Sequence, residues 1–559
     1  MLGRVLWGVG VMIALLVWGY RSIQQAPVPV QPPVQVKIQE GADFRIFPYL
    51  QHPRPDGMTL MWFTEQAMPS EVEVEGIGRF YATPTLATAL DYSPAEQQYL
   101  RTQGAQQPRQ VPYQHRVQLK GLKPQTRYLY HVYQAGQRVF SASLNTAPLQ
   151  GAQTPLQLVV MSDMETQPES SGQASAWSKS DPLRPMHTDP HSNTRKYLVD
   201  QTTGYRQTLA AAAKLQPDLW LISGDLTAKG GRQLDWDEFW QHAAGQWGQL
   251  ASSTVILPVM GNHDNYWHPE YSTPYHAEAV KRAYAKWRSY WDMPSNQASQ
   301  PHYQQRYYRT DYGPITLISL DSSNGDDRDV QRDSNLLLDG HAAGVPDFNI
   351  GSEQWQWAEQ QLHAAAAQGQ IIFVQWHHMA YGTGLHSFAS GWAGLANSED
   401  KHSGLPMRIY HPLMQKYGVV AVFSGHNEIL ETVSLDGVQY WDVGFSGDGL
   451  RGSGDASSTD HIPVDLLPKA AQESHWSAHA NMPEVWQGQQ LISGGKHYGF
   501  LSVQIEPRPK QRDYEIVMQP HYALPITDAQ GAFTGQFSPQ LYPKKVVVHR
   551  PFKAITRLL

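Results

Sequence analysis

Cysteine is absent from the 559-residue chain. That absence excludes disulfides, thiolate metal ligands, iron–sulfur clusters and a cysteine nucleophile together. It does not fix a compartment, because an exported protein can do without disulfides. Basic residues are also scarce: 43 Lys and Arg stand against 50 Asp and Glu, a formal net charge of −7. With no basic block, the chain lacks the phosphate-neutralising footprint of a nucleic-acid binder, and no nucleic-acid partner is expected. A mean hydropathy of −0.48 and 41% hydrophobic residues exclude both a multi-spanning membrane protein and a disordered chain. What is present is a globular chain of about two to four structural units. Its 24 histidines are ample for metal or acid–base chemistry.

Near the start, Val5 to Tyr20 is uncharged between Arg4 and Arg21. The run is shorter than the roughly 20 residues of a full membrane span, and it suits a secretory signal or an uncleaved anchor. No small-x-small cleavage site follows Gly19-Tyr20-Arg21, which favours retention. Pro27, Pro29, Pro32 and Pro33 then make a stiff, extended tether. The expectation is a signal-anchor or signal over 1–22 and a Pro-rich linker over 23–40. The body would then work outside the cytoplasm, in the periplasm or at the cell surface, tethered to a membrane or secreted.

From Phe44 to Pro148 short alternating runs recur between Pro and Gly breaks, such as Met58 to Phe63 and Glu71 to Val74. The stretch Leu122-Lys123-Pro124-Gln125-Thr126-Arg127-Tyr128 resembles the tyrosine-corner entry of fibronectin type III-like sandwiches. An all-β sandwich is expected over 41–150. After Pro155, apolar strand-like runs (Leu156 to Met161, Leu219 to Ile222, Val255 to Val259, Ile315 to Leu320, Ile371 to Val374, Val419 to Phe423) alternate with helix-like runs (Thr208 to Lys214, Glu353 to Ala366). This is an α/β pattern with buried strands, expected over 151–510. Gly/Ser/Asp-rich stretches at Ser322 to Asn349 and Ser446 to Gly495 read as surface insertions. The run Gly499 to Ile505 would close the sheet, and 511–559 is left as a C-terminal extension.

Five polar clusters follow strands in order. They are Ser162-Asp163-Met164-Glu165, Gly224-Asp225-Leu226-Thr227, Gly261-Asn262-His263-Asp264, Val374-Gln375-Trp376-His377-His378 and Ser424-Gly425-His426-Asn427-Glu428. Taken singly, each is more often a turn or a structural histidine. Together they supply the hard oxygen and borderline nitrogen donors that two close divalent ions require. Their order and context resemble the calcineurin-like metallophosphoesterases over roughly Leu156 to Ile505. The β-sandwich ahead of them, with Val374-x-x-His377, resembles the purple acid phosphatase branch.

That resemblance implies an α/β/β/α metallophosphoesterase sandwich behind the fibronectin-like domain. It also implies a hydrolysis of phosphate esters by a hydroxide activated on two divalent metals. Asp225 would bridge the two ions, Asn262, His377 and His426 would complete the second, and Asp163 would serve the first. His263 would protonate the leaving alkoxide, with Asp264 orienting it. Two departures fall on the first ion: Asp-x-His is here Asp163-Met164-Glu165, and Gly-His-x-His is here Gly425-His426-Asn427-Glu428. A shell of Asp163, Glu165, Asp225 and Glu428 suits a hard cation such as Mn²⁺, Mg²⁺, Ca²⁺ or iron. The second site would take Zn, Mn or Fe. Where purple members carry a tyrosinate ligand, this chain has Ala228, so no purple colour is expected. The expected function is an extracytoplasmic phosphomonoesterase acting on a phosphate ester. A phosphodiesterase of the same fold and a non-catalytic cell-surface binding module are the alternatives.

Overall fold

A computed structural model describes residues 36–171, 176–178, 194–196, 198–265, 277–323, 345–383, 404–447, 467–478, 485–487, 490–493 and 498–552. The expected anchor, and the linker up to residue 35, lie outside these. So does most of the first surface insertion and much of the second. Among the described residues no helix is long and apolar enough to cross a membrane.

The α/β pattern places parallel strands side by side in two separate sheets. In the first, Leu156–Met161, Leu219–Ile222 and Val255–Pro258 run parallel in register, Leu158 beside Leu219 and Leu219 beside Val255. In the second, Ile315–Ser319, Ile371–His378 and Ala421–Gly425 do the same, Ile318 beside Val374 and Val374 beside Val422. These strands are buried along almost their whole length, as expected for parallel strands covered on both faces. All six send their C-terminal ends into polar loops, where α/β folds place their chemistry.

The β-rich N-terminal region divides between two sheets. Five strands form one sheet in the order Lys37–Ile38, Gln137–Asn145, Arg127–Gln134, Ser70–Val74, Gly78–Ala82. The others, including Ile46–Arg54, Gly57–Thr64 and Tyr113–Lys120, extend the first α/β sheet, and Val255 pairs directly with Leu50. One hydrophobic cluster accordingly runs from Tyr49 and Trp62 to Val159 and Ile256. Tyr49 illustrates the joint: its ring lies 4.3 Å from that of Trp240 and its hydroxyl donates to the Tyr290 carbonyl at 2.7 Å. The expected tyrosine corner is present, with the Lys123 amide donating to the Tyr128 hydroxyl at 2.9 Å. The C-terminal extension pairs onto the same sheet, Asp513–Thr527 lying antiparallel to Gly499–Arg508.

Element boundaries differ from the sequence pattern where local chemistry intervenes. The helix expected from Thr208 begins at Gln201, because the Asp200 side chain caps it by accepting from the Thr203 amide at 2.7 Å. The strand expected over Val419 to Phe423 is Ala421–Gly425. The helix His411–Tyr417 ahead of it ends on Gly418 in the left-handed region at φ 70°, and the chain needs two more residues to reach the sheet. Part of the second insertion is built into the body: Trp476–Ala478 pairs with Leu430–Leu435.

Two histidines, His115 buried and His521 half-buried, make stability depend on pH. His115 stacks on Trp62 at 5.0 Å, and burial pushes its pKa down to about 4. His521 stacks on Phe500 at 4.7 Å and is likewise pushed down to about 4. Below about pH 6.5 the unfolded chain takes up protons that these folded rings refuse, so stability falls as pH drops toward 4. Replacing His115 with Phe is expected to flatten this acid limb, read as the difference in urea midpoint between pH 7 and pH 5. An unchanged difference would remove His115 from the account.

Candidate metal centre

The loops leaving the two sets of strands meet, and their backbone is strained where they do. Asp163, Glu165, Asp225, His426 and Glu428 adopt φ of 55°, 41°, 54°, 78° and 51°. Left-handed backbone costs a non-glycine residue on the order of 1–3 kcal/mol and persists only where the surroundings enforce it. At Asp163, His426 and Asp225 the enforcing contacts are carboxylate to amide. Both Asp163 oxygens accept from the His426 amide, at 2.9 and 3.0 Å, joining the first sheet to the second. Asp225 Oδ1 accepts from the His263 amide at 2.9 Å. Two glycines supply the room for these carboxylates. A Cβ on Gly261 would stand 2.0 Å from Asp225 Oδ1, and one on Gly425 would stand 2.0 Å from Asp163 Oδ2.

Two groups of side chains converge, with their ligand atoms within 4.8 Å of one another: Asp225, His377 and His426, and Glu165, Asp225 and His263. Asp225 belongs to both. Asn262 joins the first group, its Oδ1 lying 2.8 Å from His377 Nε2 and 3.1 Å from His426 Nδ1. His377 Nδ1 lies 2.9 Å from the Ser223 carbonyl, which can only accept, so the ring proton sits there. The other nitrogen, Nε2, then turns its lone pair toward Asn262 Oδ1 at 2.8 Å and Asp225 Oδ2 at 2.9 Å. A lone pair facing two oxygens is satisfied by a cation between them, and the second-ion residues therefore fit a metal. The oxygens of Glu165 and Asp225 fit a harder ion on the other side. Burial pushes the Asp163 carboxyl up to about 7, opposed by His377 and reinforced by Asp225 and Glu165.

The structure distributes the expected residues unevenly. Asp225, Asn262, His377, His426, Glu165 and His263 come together as described. Among the described residues, Asp163 and Glu428 join neither three-residue group, although both are buried in the same loops. The expectation that Asp264 orients His263 is corrected. His263 Nδ1 lies 2.9 Å from the Ala228 carbonyl, which therefore fixes the ring. The Asp264 carboxylate accepts instead from the amides of Leu226 at 3.1 Å, Thr227 at 3.2 Å and Gly261 at 3.0 Å. It is a brace for two strand-end loops, and burial pushes its pKa up to about 6 against the pull of those amides.

Sequence reasoning missed three side chains at the centre. The His378 ring lies 4.3 Å from that of His426, with its Nδ1 3.1 Å from Ser322 Oγ. The same Ser322 oxygen accepts from the His377 amide at 3.0 Å. The doubled histidine was a signal for the first of these; nothing local marks Ser322. Asp442, from the strand Val438–Val443, is buried beside Glu431 and Asp163, and burial with those two charges raises its carboxyl well above the usual range. Sheet pairing with Glu431 on one side and Ser424 on the other brings it there.

The family model for the calcineurin-like phosphoesterase matches residues 187–427, and that for the purple acid phosphatase N-terminal domain matches residues 45–146. Among solved structures, the purple acid phosphatase PPD1 from yellow lupin (Lupinus luteus) seeds aligns with a TM-score of 0.54 at 15% identity, over 90% of this chain and 74% of that one. A structure of PhoD aligns with a TM-score of 0.53 at 12% identity, over 92% of both chains. At these identities the two likenesses speak for the fold. Comparison with curated protein sequences finds no match.

The brace at Asp264 sets a testable cost. Replacing Asp264 with Ala leaves the Leu226, Thr227 and Gly261 amides without their acceptor, and each such loss costs about 1–3 kcal/mol. The variant is expected to unfold at lower temperature and to retain less metal than the wild type. Wild-type thermal stability and metal content in this variant would show the brace to be dispensable.

Proposed function

The chain is a metallophosphoesterase of the purple acid phosphatase-like type, and from that premise we propose that it hydrolyses phosphomonoesters with His263 as the proton donor. The observation that carries the proposal is the double membership of Asp225, shared by a nitrogen-rich group and an oxygen-rich one. When bound, a pair of divalent cations lowers the pKa of a water and neutralises phosphate charge. This chain's own residues do the rest. Asn262, His377, His426 and Asp225 would hold the second ion. Glu165 and Asp225 would hold the first, with Asp163 and Glu428 beside them, and this set favours Mn²⁺, Mg²⁺, Ca²⁺ or iron over Zn²⁺.

His263 is built for proton transfer. Its Nδ1 is committed to the Ala228 carbonyl, so the proton it delivers is the one on Nε2. That atom lies 3.9 Å from Glu165 Oε1, on the oxygen-rich side of Asp225. The ring is about one quarter exposed (23%), which lets a substrate oxygen reach it. Ala228 occupies the position of the tyrosinate of purple members, and no purple colour is expected even with iron bound. The uncharged run from Val5 to Tyr20 supports work outside the cytoplasm, tethered to a membrane or secreted.

The test is hydrolysis of aryl phosphates by protein loaded with each candidate metal. His263→Ala is expected to keep its metal and lose about 10²–10⁴-fold in rate on esters with poor leaving groups. It should lose less on strongly activated ones, whose leaving groups need little protonation. Equal losses on both would remove the proton-donor role, and a wild type faster on diesters would replace the monoester reading. Changing Glu165 and Glu428 together to His is expected to move metal preference toward Zn²⁺, measured as metal content and rate across the ion series. The same ranking in both proteins would take the two glutamates out of the first site.

A further inference from the structure

The residues of the second ion come from both sheets, and their separation has to be fixed from outside the centre. Asn262 stands on the loop after the first-sheet strand Val255–Pro258, and His377 lies in the second-sheet strand Ile371–His378. Their facing atoms, Asn262 Oδ1 and His377 Nε2, are nevertheless 2.8 Å apart. The tripeptide Asp321-Ser322-Ser323, just beyond the second-sheet strand Ile315–Ser319, reaches both of them. Ser322 Oγ holds the His377 side, accepting from that residue's amide at 3.0 Å. Asp321 reaches the Asn262 side through Arg306. Its carboxylate accepts from Arg306 Nε at 2.5 Å, and Arg306 Nη2 donates to Asn265 Oδ1.

Asn265 passes the hold on to Asn262. With its oxygen taken by the guanidinium, its Nδ2 donates to the Gly261 carbonyl at 2.9 Å. Its backbone amide donates to the Asn262 carbonyl at 3.1 Å. Both peptide groups that flank the Asn262 side chain are therefore tied to Asn265, and the second of them leads into His263. The far end is anchored as well: Gln354, in the helix Glu353–Ala367, accepts from the Asp321 amide at 2.8 Å and donates to its carbonyl at 3.0 Å. Arg306, Asp321, Asn265 and Gln354 are each no more than 1% exposed, so none relaxes by turning to water. A planar guanidinium suits the task. It offers separate donors on fixed vectors to a carboxylate and to an amide oxygen, which a lysine ammonium does not reproduce.

We propose that Arg306 is a positioning residue for the second ion, holding Asn262 against His377 through Asp321 and Asn265. The proposal rests on the phosphoesterase reading above for the identity of the ligands. The experiment uses the full chain loaded with Zn²⁺ and Mn²⁺ together, as wild type, Arg306→Lys and Asn265→Ala. Each protein is dialysed against rising chelator, retained zinc and manganese are measured by elemental analysis, and the unfolding temperature is recorded on the same samples. Loss of a residue that orients metal ligands costs about 10–100-fold in affinity, so both variants are expected to release zinc at chelator concentrations about tenfold lower or more. Manganese, suited to the oxygen-rich side of Asp225, should leave within about twofold of the wild-type concentration. Excess zinc should restore the lost occupancy, which it would not do for a collapsed fold. Asn265→Ala leaves the Arg306–Asp321 pair in place, so it decides the question should Arg306→Lys fail to fold. Zinc release at the wild-type concentration from a folded variant, or equal losses of both metals, would overturn the assignment. A wild type that hydrolyses no phosphate ester would defeat the phosphoesterase reading instead, and zinc retention would still decide the role of Arg306.

Discussion

Two sheets that share no strand meet at their working ends, where one carboxylate ties a loop of the first to a loop of the second. Asp163, at the end of a first-sheet strand, accepts the amide of His426, at the end of a second-sheet strand, on both of its oxygens. Asp225 repeats the device within the first sheet by accepting the amide of His263. Each carboxylate thus receives a backbone donor from another loop while lying among the metal-site residues. Buried carboxylates are costly unless they are paired or hydrogen-bonded. Left-handed backbone occurs at five positions in these loops, and at Asp163, His426 and Asp225 its cost is opposed by these bonds between loops.

The same constraint explains the division of labour at Gly-Asn-His-Asp. Asn262 and His263 point into the centre, while Asp264 turns back and braces Leu226, Thr227 and Gly261. A proton-donating histidine, the role proposed for His263, is commonly imagined with a carboxylate behind it. Here a carbonyl, that of Ala228, does the orienting. A carbonyl fixes the tautomer without adding charge, which suits a centre already crowded with carboxylates.

The N-terminal β-region is less separable than its composition implies. Its strands lengthen the sheet that carries Asp163, Asp225 and Asn262, and Tyr49 and Gln51 both bind the Tyr290 carbonyl. It therefore stiffens the strands whose ends bear the metal loops. The C-terminal strands do likewise from the other edge, where Gly499–Arg508 pairs with Leu156–Met161.

What the chain's residues determined by themselves was the set of strand-end motifs, and with it the chemistry. Gly-Asp, Gly-Asn-His-Asp and Gly-His have a local meaning, since each glycine must clear a neighbour and each polar residue must leave a buried strand. Apolar runs between them were legible for the same reason: a parallel strand covered on both faces has no alternative composition. Tertiary structure alone decided the partners. No local pattern says that Asp264 binds backbone and not imidazole, that Ser322 receives the His377 amide, or that Asp442 lies opposite Glu431. Those relations join residues 37, 55 and 11 positions apart through loops and registers that exist only once the sheets are assembled. Hydrogen bonds of this kind are chosen by geometry, and geometry across two sheets is written in no single segment of the chain.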